Sequence, residues 1–230
     1  MKKILLKVVI VCTVLLGFAT IVFAAIDHTP ARQQAKERYG YPDLGWVIIT
    51  NAGEEKIVIH SAAREIKQAT KIGIMDGYPD GTFKPNEPIT RGEFIKMLIG
   101  LATNRSFDFG SVETIYSQWY GPYVTIAEMQ GVINKNQYTE KELEEPITRI
   151  EMILMLAKTQ IKMKNIPQTQ VEDKLRYTDI GYLTKEERAL VLHAAQYDLL
   201  EGMKENPEGK LNPNANLTRG EAAMAIMRVY

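Results

Sequence analysis

One tetrapeptide pattern recurs three times along the chain and constrains it more than any other feature. Thr90-Arg91-Gly92-Glu93, Thr148-Arg149-Ile150-Glu151 and Thr218-Arg219-Gly220-Glu221 start 58 and 70 residues apart. Self-similarity at such a period means that one supersecondary unit is used repeatedly. An aliphatic residue precedes each copy (Ile89, Ile147, Leu217), and helically spaced apolar residues follow. In the first copy these are Phe94, Met97, Leu98 and Leu101; in the second, Met152, Ile153, Met155 and Leu156; in the third, Ala222, Ala225, Ile226 and Val229.

A second helical stretch precedes each tetrapeptide: residues 61–72 before Gly73, 122–130 before Gly131, and 185–197 before Asp198. Between helix and tetrapeptide, Asp80-Gly-Thr-Phe-Lys-Pro-Asn86 aligns column by column with Glu208-Gly-Lys-Leu-Asn-Pro-Asn214. Each unit therefore reads as helix, Gly/Pro-rich loop, capped helix. One unit has too little apolar surface to stand alone, so three are expected to share a core. The predicted fold is mainly α, three helix-loop-helix repeats. A small β-hairpin is expected at about 46–60, where two β-branched runs flank Asn51-Ala-Gly-Glu-Glu55.

The expected organisation is a signal peptide at 1–24, an N-terminal segment at 25–40, and repeats at 41–104, 105–162 and 177–230. A polar linker at 163–176 separates the last two. Residues 1–24 combine Lys2 and Lys3 with a long apolar run and a small residue at Ala24, which is the pattern of a cleaved secretory signal. An uncleaved membrane anchor is the alternative, since the run approaches the ~20 residues that span hydrocarbon. Lys+Arg and Asp+Glu both number 28, but three lysines and no acid lie in the first 24 residues. The remainder is thus slightly acidic, with no global attraction to nucleic acid. Cys12 is the only cysteine and lies in the same segment, which excludes thiol catalysis, disulfides and cysteine zinc sites beyond it.

Thr-x-x-Glu ahead of an apolar helix is a capping box: Thr90, Thr148 and Thr218 cap, and Glu93, Glu151 and Glu221 reach back. The arginines Arg91, Arg149 and Arg219 fall at N1, where the helix dipole disfavours a cation by roughly 0.3–1 kcal/mol. Capping does not require them. Two readings stay open. A guanidinium beside free helix N-terminal N–H groups is a receptor for a carboxylate or other anion; or each arginine is an ion pair between repeats.

Together these features resemble the S-layer homology domain, a three-copy module that holds exported proteins on bacterial cell walls. The resemblance covers about residues 41–230. It rests on the three aliphatic-Thr-Arg-x-Glu motifs, on Gly73-Ile-Met-Asp-Gly77, on Asp80-Gly-Thr-Phe-Lys-Pro-Asn86, and on Trp119-Tyr-Gly-Pro-Tyr-Val124. Tyr41-Pro-Asp43 and Tyr177-Thr-Asp179 resemble the aromatic-x-Asp opening of such repeats. What it implies is a pseudo-threefold arrangement with grooves between units, no catalysis and no cofactor. The implied partner is a secondary cell wall polysaccharide, linked to peptidoglycan and often bearing pyruvate ketals, with other surface proteins as further partners. The implied location is outside the cell, on the wall, with no membrane contact once the signal is removed. By the same resemblance Arg91, Arg149 and Arg219 meet the anion, and Asp80, Gly81 and Trp119 line grooves.

The second unit departs from this pattern. Glu140, Glu142, Glu144 and Glu145 precede Arg149, and are expected to repel an anionic polymer or to occupy that arginine. Rival chemistries are weaker. Residues 76–87 imitate a calcium loop, but Tyr78 stands at its third position and Pro85 and Pro88 block the exit helix. His28, His60 and His193 have no metal-ligand spacing. The competing functional class is a surface assembly protein whose arginines are all structural.

Overall fold

The computed structural model describes residues 26–52, 54–103, 108–167, 177–200 and 209–229. The signal-peptide expectation and most of the 163–176 linker lie outside them. The chain divides after His60 into two compact units.

In the first unit, α1 (Thr29–Tyr39) has Pro30 in its opening turn, where the missing N–H costs nothing, and stops at Gly40 with φ 94°. Its buried face is only Ala31 and Ala35, one turn apart. So small an apolar stripe gives no periodic signal, and the sequence reading passed over this helix. The hairpin expected nearby is present: β1 (Gly45–Ile49) runs antiparallel to β2 (Glu55–Ile59), with Val47 opposite Ile57. The Val47 N–H donates to His28 Nδ1 at 3.0 Å, tying the strand to the start of α1.

The second unit is helical: α2 (Ala63–Lys71), α3 (Arg91–Ala102), α4 (Gly121–Met129), α5 (Glu140–Leu143), α6 (Arg149–Lys164), α7 (Lys185–Gln196) and α8 (Arg219–Val229). Helices α2, α4 and α7 end alike. The next residue but one is left-handed in each case: Gly73 (φ 67°), Gly131 (φ 63°) and Asp198 (φ 56°). The residue after it then donates back to the helix, as Ile74 to Ala69, Val132 to Ala127 and Leu199 to Ala194, at 2.8–2.9 Å. Aspartate serves in the third copy because its short polar side chain tolerates that conformation. The aligned loops agree as well: Gly81 and Gly209, then Lys84 and Asn212, all have positive φ.

Helices α3, α6 and α8 start at the tetrapeptides, and their backbones close into a ring. The Ile89 N–H donates to Leu217 O, Leu217 to Ile147 O, and Ile147 to Ile89 O, at 2.9–3.2 Å. Ile89, Ile147 and Leu217 are fully buried, as are Phe94, Met152 and Ala222 one turn into each helix. Each pair is the staple the sequence spacing describes, and burying such side chains contributes about 1.5–3 kcal/mol apiece for the larger ones. Gly92 is glycine for a packing reason, because a Cβ there would lie 2.7 Å from the Tyr120 ring.

Candidate functional site

All three capping threonines and glutamates are hydrogen-bonded to one another. The Thr90, Thr148 and Thr218 N–H groups donate to Glu93, Glu151 and Glu221 Oε2 at 2.8–3.0 Å. The glutamate N–H groups return bonds to the threonine hydroxyls at 3.2–3.4 Å. The helix N-termini are not open receptors, however. Arg91 N–H donates to Glu145 O, Arg149 N–H to Ala215 O, and Arg219 N–H to Glu87 O, at 2.8–3.1 Å. Ile150 and Gly220 N–H are likewise taken by Pro213 O and Pro85 O. The N–H groups assumed free in the sequence reading are spent on holding the unit together, so any anion must be met by side chains.

The side chains of the arginines differ. Arg219 is 8% exposed and threads between the Tyr78 and Phe83 rings, each 4.8 Å from its guanidinium carbon. Its Nε donates to Phe83 O at 3.1 Å and its Nη2 to Asp76 O at 2.8 Å. Its Nη1 stands 3.8 Å from Glu93 Oε1. One guanidinium is thereby fixed by neutral carbonyls, with a single loose carboxylate contact.

Arg219 is part of the wall of a groove of about 190 Å³, shared with Asp76, Tyr78, Glu93, Lys96 and Trp119. Trp119 is 56% exposed, with its edge against Tyr120. Lys96 Nζ lies 5.8 Å from the Trp119 ring and 3.5 Å from Asp76 Oδ2. Two cations and an exposed indole thus line one cleft together with the apolar Ile74 and Met97. Lys96 was not foreseen, although a single lysine inside the apolar run Phe94–Leu101 was a signal that it serves something other than the core.

Arg91 has other company. Its Nε donates to Glu151 Oε1 at 2.8 Å and its Nη1 to Glu142 O at 3.0 Å, with Glu145 Oε2 at 3.6 Å. Burial is the largest single influence and opposes its charge, but Glu151, Tyr138 and Glu145 together outweigh it and hold the guanidinium above its ordinary pKa. The acidic stretch expected to meet Arg149 meets Arg91 instead, because each helix start reaches into the loop ahead of the next tetrapeptide. That stretch also forms α5, with its own Thr139–Glu142 capping box, a Thr-x-x-Glu pattern readable in the sequence. Arg149 is buried, at 7% exposure.

Asp80 and Gly81 lie outside the groove's lining. Asp80 Oδ1 accepts from the Thr82 hydroxyl and N–H, which hold its carboxyl below its usual pKa, and its Oδ2 pairs with Lys84 at 3.4 Å. Gly81 N–H donates to Tyr78 O. These residues shape the turn that carries Tyr78 to Arg219. Among the described residues no group of three His, Cys, Asp or Glu is placed to hold a metal.

Comparison with known proteins finds similarity to one family in two segments. The S-layer homology domain family matches residues 57–95 and 203–223. The chain is 28% identical over 162 residues to an amylopullulanase of Thermoanaerobacterium thermosulfurigenes, covering 66% of this chain and 8% of that protein. It is 31% identical over 160 residues to an uncharacterised cell wall amidase of Bacillus anthracis, covering 66% of this chain and 27% of the relative. Over 44 residues, 19% of this chain and 2% of the other, it is 52% identical to cell surface glycoprotein 1 of Acetivibrio thermocellus. The chain spans less than a third of each of these relatives. The chain thus carries S-layer homology domain sequence at residues 57–95 and 203–223, consistent with an S-layer homology domain protein.

Proposed function

We propose that the chain is a non-catalytic anchoring module that holds an exported protein on the bacterial cell wall by binding an anionic secondary cell wall polysaccharide. The observation that carries this reading is the groove in which Arg219 and Lys96 face the exposed Trp119. A sugar-borne carboxylate, as in a pyruvate ketal, meets the two cations while the sugar ring lies on the indole. Removing water from one face of the cleft strengthens that attraction. The family match and relatives named for the cell wall and cell surface support the location. The matches to enzymes cover small fractions of those proteins, in keeping with a shared anchor rather than a shared active site.

Three repeats in a pseudo-threefold arrangement are supported by the closed hydrogen-bond ring through Ile89, Ile147 and Leu217. In this proposal Arg219 and Trp119 are the principal ligand residues, with Arg149 subsidiary, and Asp80 and Gly81 act through the turn that positions Tyr78. For Arg91, the 2.8 Å contact to Glu151 favours the second reading, an ion pair that locks neighbouring segments. The test is a pull-down of the exported chain on cell wall sacculi with and without their polysaccharide. Binding should need the polymer and fall at least tenfold in Trp119→Ala; equal retention on stripped sacculi refutes the proposal.

A further inference from the structure

We infer that Glu140 is a positioning residue for Trp119, holding from outside the groove the loop that presents the indole to a sugar. The inference deepens the anchoring reading and rests on it. Trp119 sits in a tight turn closed by the Gly121 N–H, which donates to Gln118 O at 2.8 Å. Its side chain is more than half exposed, so packing alone does not fix it. The turn is fixed at its flanks instead. Before it, the Ser117 N–H donates to Glu140 Oε1 and the Ser117 hydroxyl to Glu140 Oε2 at 3.1 Å. After Trp119, the buried Tyr120 sends its hydroxyl to Glu140 O at 3.3 Å. One residue thus accepts three hydrogen bonds from residues 117–120. The two from Ser117 are charge-assisted, the stronger kind, and they hold the Glu140 carboxyl below its usual pKa.

Glu140 is itself held in place. It opens α5, whose Thr139–Glu142 capping box is complete. That short helix is bound to the start of α3, where the Arg91 N–H donates to Glu145 O at 3.1 Å and Arg91 Nη1 to Glu142 O at 3.0 Å. Helix α3 also carries Glu93, Lys96 and Met97 of the groove. Glu140 therefore ties the Trp119 loop to the helix bearing Lys96, whose Nζ lies 5.8 Å from the indole ring. An indole held in place before the sugar arrives loses less freedom on binding than a loose one. Charge alone predicts the opposite sign. An acid near an anionic polymer repels it, as the sequence suggests for Glu140, so removing it would tighten binding; positioning predicts that removal weakens it.

The exported chain has two tryptophans, Trp46 and Trp119, so fluorotryptophan labelling gives each a fluorine NMR line, with Trp119→Phe identifying the second. In Glu140→Ala the Trp119 line is expected to move toward that of free fluorotryptophan while the Trp46 line stays. Affinity for the wall polymer should fall about three- to tenfold, the scale of one or two lost hydrogen bonds. Glu140→Gln, which keeps an oxygen acceptor for the Ser117 N–H, should recover most of both effects. In a Trp119→Ala background, Glu140→Ala should cost less than about twofold, because the group it positions is gone. Ser117→Ala removes the partner hydroxyl and should move the same line, so the test survives if Glu140→Ala misfolds. A Trp119 line unmoved in both variants, tighter polymer binding in Glu140→Ala, or an equal loss with and without Trp119 overturns the proposal. If the wild type binds no polymer, the anchoring reading falls and the fluorine line alone decides on Glu140.

Discussion

Arg91 Nε lies 2.8 Å from Glu151 Oε1, while Glu151 Oε2 accepts the Thr148 N–H that starts α6. One carboxylate thus caps its own helix and holds the arginine of the preceding tetrapeptide. Glu93 is built the same way, capping with Oε2 and facing Arg219 with Oε1, but at 3.8 Å. The two pairs differ by 1 Å, so Arg91 is held tightly by its carboxylate and Arg219 only loosely. The same geometry also answers why a cation is tolerated at N1 in these two helices, since the Arg91 and Arg219 guanidinium groups turn toward oxygens of neighbouring segments.

Arg91→Ala is expected to destabilise the fold by about 2–3 kcal/mol, the scale of hydrogen bonds to a charged group in a partly buried site. For a chain of this size that lowers the melting temperature by roughly 4–12 °C. Calorimetry should show the loss while polymer binding stays within twofold. A large loss of binding with unchanged stability would reverse the roles assigned here.

Glu151→Gln keeps a residue that can still complete a capping box, but removes the charge facing Arg91. Glu93→Gln removes a weaker contact. The first substitution should therefore cost about 1 kcal/mol more than the second, measured by urea denaturation. A double-mutant cycle with Arg91→Ala should show most of that excess as coupling.

His193 is fully buried, bonded through Nε2 to Gln160 Oε1 at 2.9 Å and stacked on Tyr197. Burial pushes its pKa below the ordinary 6.5. The unfolded chain therefore takes up the proton first, so stability is fully present above about pH 6.5 and falls as the pH drops toward the lower folded value. Melting temperatures between pH 7.5 and 5.5 should decline in the wild type, and less steeply in His193→Gln. Parallel slopes would assign the decline to other groups.

Trp119 is more than half exposed and meets the buried Tyr120 only at the ring edge, so Trp119→Ala should leave the melting temperature within about 2 °C. Its effect should appear in polymer affinity alone. Binding should also weaken between 50 and 500 mM salt, because the Lys96 side chain is 30% exposed and its charge is open to screening.

Much of the second unit was legible because its signals are local. The Thr-x-x-Glu caps, the apolar spacing after them and the Gly-ended helices before them are set by residues within one turn of each other. Helix α1 was not legible, since its only buried side chains are two alanines. Nor was the fate of the N1 N–H groups, which are taken by Glu145, Ala215 and Glu87, carbonyls more than 50 residues away in sequence. The same distance effect moved the four glutamates from Arg149 to Arg91. Residues such as Lys96 and Tyr78 become site residues only when segments remote in sequence enclose a groove, and no single-chain periodicity carries that information.

The central claim is that a carboxylate of the polymer meets Arg219, and a mutant-ligand cycle tests it most directly. Titration calorimetry of wild type and Arg219→Lys would be run against intact polymer and polymer stripped of its carboxylates. Stripping should weaken the wild type at least tenfold and the lysine variant, already weaker, by much less, because Arg219 supplies a rigid fork that lysine lacks. Equal losses in the two proteins, or none in the wild type, would contradict the claim.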